Sequence, residues 1–403
     1  MARPLEGIKV VEVAMWAFVP AAGGILSDLG ADVIKVEPPT GDPIRGLKIG
    51  MSNAEAAFDF SWENYNRGKR SITLDLKMPQ GLEVLHKLLE DADVFLTNLL
   101  PPARTKMGID LPSIRRRFPN IIYAVGSGVG QRGPEAHRGG FDAITFWARG
   151  GISSSLSAED CDLPIAPPGP AFGDCLSGAM LAGAVSAAIA QRAMTGQASD
   201  VDVSLLGTAM WAMQRAITQS THENLERFPR PANNLPNNPL VSNYRTKDNR
   251  FLALCMLQAQ RYWAPLCEVA GRPDLAADPR YADNAARRTH LADCYADLKA
   301  MFASRTLAEW REILARQDGQ WDVVQYVGEM KDDCQVQAND YLQPVTHEDG
   351  RTLRMVSVPM QFDGASLPAS PAPELGADSD AILSSLGYDE DAIIDLKVAG
   401  VVF

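Results

Sequence analysis

The chain predicts an α/β fold: a mainly parallel β-sheet carrying helices on its faces, with a second, smaller α+β unit. Three observations point there. Short β-rich runs alternate with helical stretches through the first third, and such a βαβ rhythm builds parallel sheets because each crossover returns the chain to the same edge. A Pro/Asn-rich stretch, Arg230-Pro231-Ala232-Asn233-Asn234-Leu235-Pro236-Asn237-Asn238-Pro239, then interrupts the pattern. Near Asp332 the chain returns to the first unit, so the large domain is assembled from both ends of the sequence. The expected division is 1–222 for the large domain, 223–331 for linker and small domain, and 332–403 for the return and tail.

Taken in order, Ile8–Val13 reads as a strand of β-branched residues, and Ala21–Leu29 as a helix stopped by Gly30. Ala31–Glu37 is the next strand, closed by Pro38-Pro39. Strand Ser71–Leu76, helix Pro79–Asp91, strand Asp93–Thr97, a short helix Leu111–Arg117 and strand Ile121–Ser127 follow. A small-residue helix runs from Ala179 to Ala190, then a strand Ser199–Val203 and a long helix Leu205–Ser220. The small unit opens on strands Val241–Thr246 and Arg250–Met256 around a turn at Lys247-Asp248-Asn249. Helices Gln260–Gly271, Thr289–Ser304 and Thr306–Arg316 complete it. Pro359–Gly376 is an extended, Pro-rich tail, and Ser379–Leu386 and Asp389–Lys397 are terminal helices.

Composition narrows the function classes. A chain of 403 residues with 46% hydrophobic and 22% charged residues is ordinary for a globular protein with a substantial core. A formal charge of −12 argues against general binding to nucleic acid or anionic membranes, so an anionic ligand must meet a local basic patch. The start Met1-Ala2-Arg3-Pro4-Leu5-Glu6 lacks the apolar core of a secretory signal. Gly178–Ala190 is too short and too rich in Gly and Ala to cross a bilayer. Six scattered cysteines without a C-x-x-C pair indicate neither zinc nor a disulfide framework, and a cytoplasmic protein with reduced thiols is expected. After the first strand stands Ala14-Met15-Trp16-Ala17-Phe18-Val19-Pro20, not G-x-G-x-x-G, and no G-x-x-x-x-G-K-[ST] occurs. NAD and ATP readings thereby lose their main support, and no metal is expected.

The most informative segment is Pro170-Ala171-Phe172-Gly173-Asp174-Cys175-Leu176-Ser177-Gly178-Ala179. It sets Asp174 at the entrance of the small-residue helix, whose backbone can lie close to a neighbour or ligand. The macrodipole and the free N–H groups there hold a carboxylate ionised. That suits a nucleophile and equally suits a plain helix cap, and spacing alone does not separate the two. Ser177, one turn further on, is a candidate for helping an oxyanion, as are backbone N–H groups at Gly173–Leu176 and at Ser127-Gly128-Val129.

Nearly end to end, the chain resembles the class III CoA-transferases, the formyl-CoA and carnitine CoA-transferase family that also contains α-methylacyl-CoA racemases. The resemblance rests on Leu5–Glu12, on Leu26-Ser27-Asp28-Leu29-Gly30-Ala31-Asp32-Val33-Ile34-Lys35-Val36-Glu37, and on Asn66–Lys77. Ala92–Asn98, Lys106-Met107-Gly108, Arg192–Gln197, Val201–Leu205 and Ala372–Gly376 continue it in order. It implies a Rossmann-like large domain and a homodimer whose chains interlock as linked rings. It implies coenzyme A, or an acyl-CoA, as substrate and Asp174 as the catalytic aspartate. By position, Trp16 and Ala17 border the ligand, Leu74 lines the adenine site, Asn98 offers a polar contact, and Arg104 and Lys106 lie near the phosphates. Arg67, Lys69, Arg70 and Arg138 are further basic candidates, with structural or solvated roles favoured.

Two departures bear on the reaction. Racemase relatives carry a His where this chain has Phe141, and an acid near Cys255-Met256-Leu257-Gln258 where it has none, so proton shuttling lacks its groups. Formyl-type relatives carry a glycine run where this chain has Asn233–Pro239, so water exclusion must come from elsewhere. Trp16, Phe18, Phe146, Trp147, Met210 and Trp211 are candidates for an apolar acyl pocket, with core packing as the competing role; a pocket so lined points to a branched, aromatic or longer acyl group rather than formyl.

Overall fold

Strands β1 (Lys9–Val13), β2 (Asp32–Glu37), β3 (Arg70–Thr73), β4 (Val94–Thr97), β5 (Ile122–Ser127) and β6 (Asp200–Ser204) form a sheet in the order β3-β2-β1-β4-β5-β6. Every pair in it is parallel, as the alternating pattern predicts. This is a computed structural model, and it describes residues 3–47, 58–229 and 235–403.

The two-residue period of a strand is written directly into the core. Val10, Val94, Leu96, Ile122 and Ala124 point to one face, and Val11, Val13, Phe95, Tyr123 and Val125 to the other. Helices then cover both faces: α1 (Phe18–Asp28), α2 (Phe60–Asn66), α3 (Pro79–Glu90), α4 (Pro101–Met107), α5 (Leu111–Arg117), α6 (Ile152–Leu156), α7 (Phe172–Thr195), α8 (Leu205–Ala212) and α9 (Gln214–Glu223). The terminal helices Ser379–Ser385 and Glu390–Val398 send Ile382, Leu383 and Ile393 into the α3 side of the core. Packing divides the chain into Met1–Phe228 with Gln335–Phe403, and Pro229–Cys334. The second unit has its own three-stranded antiparallel sheet and an aromatic core in which Tyr244 stacks on Phe302 at 4.8 Å.

Helix α7 settles on α1 because its residues are small. A Cβ on Gly178 would stand 2.9 Å from the Ala21 side chain and 3.0 Å from the Phe18 carbonyl, so only glycine permits this approach. The helix has 24 residues, longer than the expected Ala179–Ala190, and by length and composition alone it is apolar enough to cross a membrane. It buries Leu181, Ala182, Val185 and Ala188 in the core beside α1.

Some elements differ from expectation. The long helix after β6 breaks at Met213 into α8 and α9. Asp59 caps α2 by accepting from Ser61 and Trp62 N–H groups, and Pro101-Pro102 opens α4; both helices span seven residues, too few for a hydrophobic period to show. An eight-residue π-helix covers Asp142–Arg149, a geometry that no propensity pattern announces. Strands Leu342–Thr346 and Thr352–Val356 pair as a hairpin that the sequence reading did not include.

Candidate active site

In a sheet of this order, strand β1 is followed on one side by β2 and on the other by β4, so their C-terminal ends part and leave a crevice. A cavity of about 350 Å3 sits there, lined by Met15 and Trp16 after β1, Asn98 and Leu99 after β4, and Gly126, Ser127 and Gly128 at the end of β5. Gln131, Arg138, Gly139 and Gly140 give it a polar side, and Phe18, Leu99, Leu100, Pro101 and Leu205 an apolar one. A second cavity of about 440 Å3 is lined by Ala17, Ile44, Leu47, Tyr65, Ala143, Pro167, Pro170 and Ala171, and is mainly apolar. Trp16, Phe141 and Asp174 border both.

Asp174 lies in the first turn of α7, whose N-cap is Ala171 in left-handed geometry (φ 57°) with no side-chain capping bond. The cap role left open by the sequence is therefore not the one this side chain plays. Its carboxyl is pushed up to about 7, first by burial and then by the nearby Asp142 charge. Desolvation thus works against the helix terminus, which the sequence reading expects to hold this carboxylate ionised.

Asp142 opens the π-helix and accepts the Gly173 N–H at 3.1 Å through Oδ2, while Oδ1 is buried without a hydrogen-bond partner. Gly173 must be glycine, since a Cβ would meet the Phe146 ring at 2.2 Å and Asp142 Oδ1 at 2.6 Å. The Gly173 N–H goes to Asp142 and the Cys175 N–H to the Ala171 carbonyl, so two of the proposed oxyanion donors are already engaged. Ser177 Oγ, fully buried, also lacks a partner. Beside Asp174, Cys175 is exposed as a residue, but its thiol meets the Tyr65 hydroxyl, and desolvation there pushes it up to about 11, far from a thiolate at neutral pH.

The loop after β1 is held from two sides. Met15 N–H donates to Asn98 Oδ1 (3.0 Å) and Asn98 Nδ2 donates back to the Met15 carbonyl (2.6 Å). Trp16, at φ 70°, donates its N–H to Asp42 Oδ1 (3.0 Å). Asp42 pairs with Lys35 (2.9 Å), and Lys35 and Lys69 together flank Glu12 at 3.0 and 2.8 Å, all four side chains fully buried. Two ammoniums thus face two carboxylates, and burial draws Lys69 down to about 8.

The model of CoA-transferase family III matches residues 5–379. The chain belongs to CoA-transferase family III. It is 35% identical over 403 residues to the (R)-2-hydroxy-4-methylpentanoate CoA-transferase of Clostridioides difficile, covering 99% of each protein. It is 32% identical to the cinnamoyl-CoA:phenyllactate CoA-transferase of Clostridium sporogenes, covering 97% of this chain and 95% of that one. A CAIB/BAIF family protein of Brucella suis has a solved structure that superposes with a TM-score of 0.81 at 29% identity, over 96% of this chain and all of that one.

In this family III chain the residues singled out by sequence fall into two groups. Asp174, Trp16, Ala17 and Asn98 are brought together around the two cavities. Leu74 packs inside the core at 1% exposure and lines neither cavity. Arg104 is buried, bonding the Tyr123 hydroxyl (3.2 Å) and the cavity residue Gln131 (2.5 Å), while Lys106 is exposed on α4. Arg67 pairs with Asp28 and Arg70 with Asp32; Arg138 lines the polar cavity. Of the acyl-pocket candidates, Trp16 lines both cavities and Phe18 the polar one. Phe146 and Trp147 are core residues, and Met210 and Trp211 are exposed on α8. Sequence reasoning missed Tyr65, Ile44 and the Pro167–Ala171 wall; the run Pro167-Pro168-Gly169-Pro170 was the available signal. His137 is exposed, and Asn233 and Asn234 of the expected lid position lie outside the described residues. Among the described residues, no group of three or more His, Cys, Asp or Glu side chains is placed to hold a metal.

Proposed function

We propose that the protein moves coenzyme A from an acyl-CoA to a free carboxylic acid through covalent intermediates on Asp174. The observation that carries this is a half-buried carboxylate with no capping bond, at the junction of a crevice with polar groups on one side and a mainly apolar cavity. The Asp174 carboxylate attacks the thioester carbonyl; a C–O bond forms, the C–S bond breaks, and CoA thiolate leaves a mixed anhydride. The thiolate attacks the aspartyl carbonyl, forming a C–S bond and releasing the first acid as its carboxylate. The incoming carboxylate reverses both steps and restores Asp174. No net proton moves, and the thioester energy is kept, which an ester on Ser would lose. The Gly128 and Gly139–Gly140 backbone edges of the polar cavity supply oxyanion donors in this reading.

Racemisation is not favoured: Phe141 cannot carry a proton, and His137 stands exposed in its loop. The apolar cavity and the substrates in the relatives' names favour a branched or aromatic acid over formate. A homodimer is part of the proposal, supported by an apolar surface on α7 and α8 where Phe172, Leu176, Met180, Met210 and Trp211 are 43–61% exposed. Six unpaired thiols suit a reducing, cytoplasmic setting. The deciding experiment incubates the protein with acyl-CoA and hydroxylamine and maps the hydroxamate by mass spectrometry. Modification at Asp174, lost in Asp174→Ala, is the expected result; CoA exchange surviving in a folded Asp174→Ala overturns the mechanism.

A further inference from the structure

Trp16 and Phe141 meet edge to face, ring centroids 5.4 Å apart at 88°, and they are the two aromatic side chains shared by the walls of both cavities. The cavities on their two sides differ in degree. One carries Ser127, Gln131, Arg138 and glycine backbone beside Phe18, Leu99, Leu100 and Leu205; the other is more uniformly apolar, with Ile44, Leu47, Tyr65, Ala143, Pro167 and Ala171. Asp174, the third shared residue, lies where the two cavity walls meet.

The two rings are held very differently. Trp16 sits at φ 70°, a conformation that disfavours any residue with a Cβ. It persists because its N–H is fixed on Asp42 and its neighbour Met15 is clamped on Asn98 from both sides. Asp42 is itself anchored by Lys35 in the buried charge group. Phe141, by contrast, is 56% exposed and precedes the π-helix, its ring resting edge to face on Trp16. A Trp16 fixed through its backbone and an exposed Phe141 together make the wall between the cavities.

Resting on the transferase reading, we propose that the Trp16–Phe141 pair is the determinant of acyl selectivity. The amide-bearing arm of CoA lies in the polar cavity, the thioester reaches Asp174 at the pair, and the acyl body lies beyond it in the apolar cavity. An acyl group of two carbons ends at the wall and gains nothing from the second cavity. A compact branched or single-ring acyl group buries its surface there, and a few methylene equivalents suffice for large discrimination.

The test measures Asp174 hydroxamate formation, without an acceptor acid, from acetyl-CoA, 4-methylpentanoyl-CoA and 3-phenylpropanoyl-CoA. The parent should favour the two larger donors in the second-order rate constant for labelling. Phe141→Ala, at an exposed position, and Trp16→Gly, which accepts φ 70° without strain, should each cut the preference over acetyl-CoA by about tenfold or more. An unchanged donor ratio in both variants, or an equal loss with all three donors, overturns the proposal while leaving transfer through Asp174 intact. Absence of any hydroxamate in the parent overturns the transferase mechanism itself.

Discussion

Asp174 must be a carboxylate to attack and must sit in a dry site to attack well, and these demands oppose each other. Burial and Asp142 raise its pKa to about 7, so near neutrality the free enzyme divides between acid and carboxylate. Acylation in single turnover should therefore rise with pH through about 7 and level above it. Asp142→Asn removes the like charge, and the acidic limb should move to lower pH; a profile that stays in place shows that the neighbour does not tune the nucleophile. The same shift is a statement about folding. A carboxyl whose folded pKa is raised favours the native state below its unfolded value near 4, and that contribution is lost as pH rises through about 7. Asp174→Asn should therefore be more stable than the parent at pH 8, by roughly 2 kcal/mol after allowance for partial exposure, with the gap closing toward pH 4. Thermal melts of both proteins across that range check the sign.

At the scale of elements, the contact of α7 with α1 fixes where Asp174 stands. Gly178→Val would force its side chain against Ala21 and the Phe18 carbonyl, and overpacking of this kind costs about 1–3 kcal/mol. A lowered Tm with a matching fall in acylation rate is expected, because the nucleophile moves with its helix. The small residues that permit the contact were legible in the sequence, and so was every strand of the sheet, because β-branched runs and a two-residue period leave a local mark. The site was legible only in part. Asp174, Trp16, Ala17 and Asn98 followed from a segment, a loop and a resemblance, whereas Asp42 reaches Trp16 through a contact spanning 26 positions. The π-helix that presents Asp142 has no sequence signature, and the raised pKa of Asp174 depends on desolvation by elements distant in the chain. Arg104, placed near the phosphates by the resemblance, is buried and bonds Tyr123 and the cavity residue Gln131, a setting its position in the sequence does not announce.

For the molecule as a whole, the decisive surface is the apolar one that the isolated chain leaves uncovered. Phe172, Leu176 and Met180 repeat at intervals of four along α7, the same helix that carries Asp174, and Met210 and Trp211 lie on α8. A helical face of this kind costs solubility unless another surface covers it, and a second copy of the chain is the occupant proposed above. Because Phe172 and Leu176 flank Asp174 by two residues on either side, assembly and catalysis should be coupled. Met180→Asp and Trp211→Asp place a carboxylate on that face without touching either cavity. Each should lower the mass seen by sedimentation from two chains toward one and should depress acylation of Asp174 by an order of magnitude or more, while the far-ultraviolet circular dichroism stays that of the parent. A parent protein that sediments as a single chain at micromolar concentration, or charged variants that remain paired, would remove the dimer from this account and leave the exposed face to another partner.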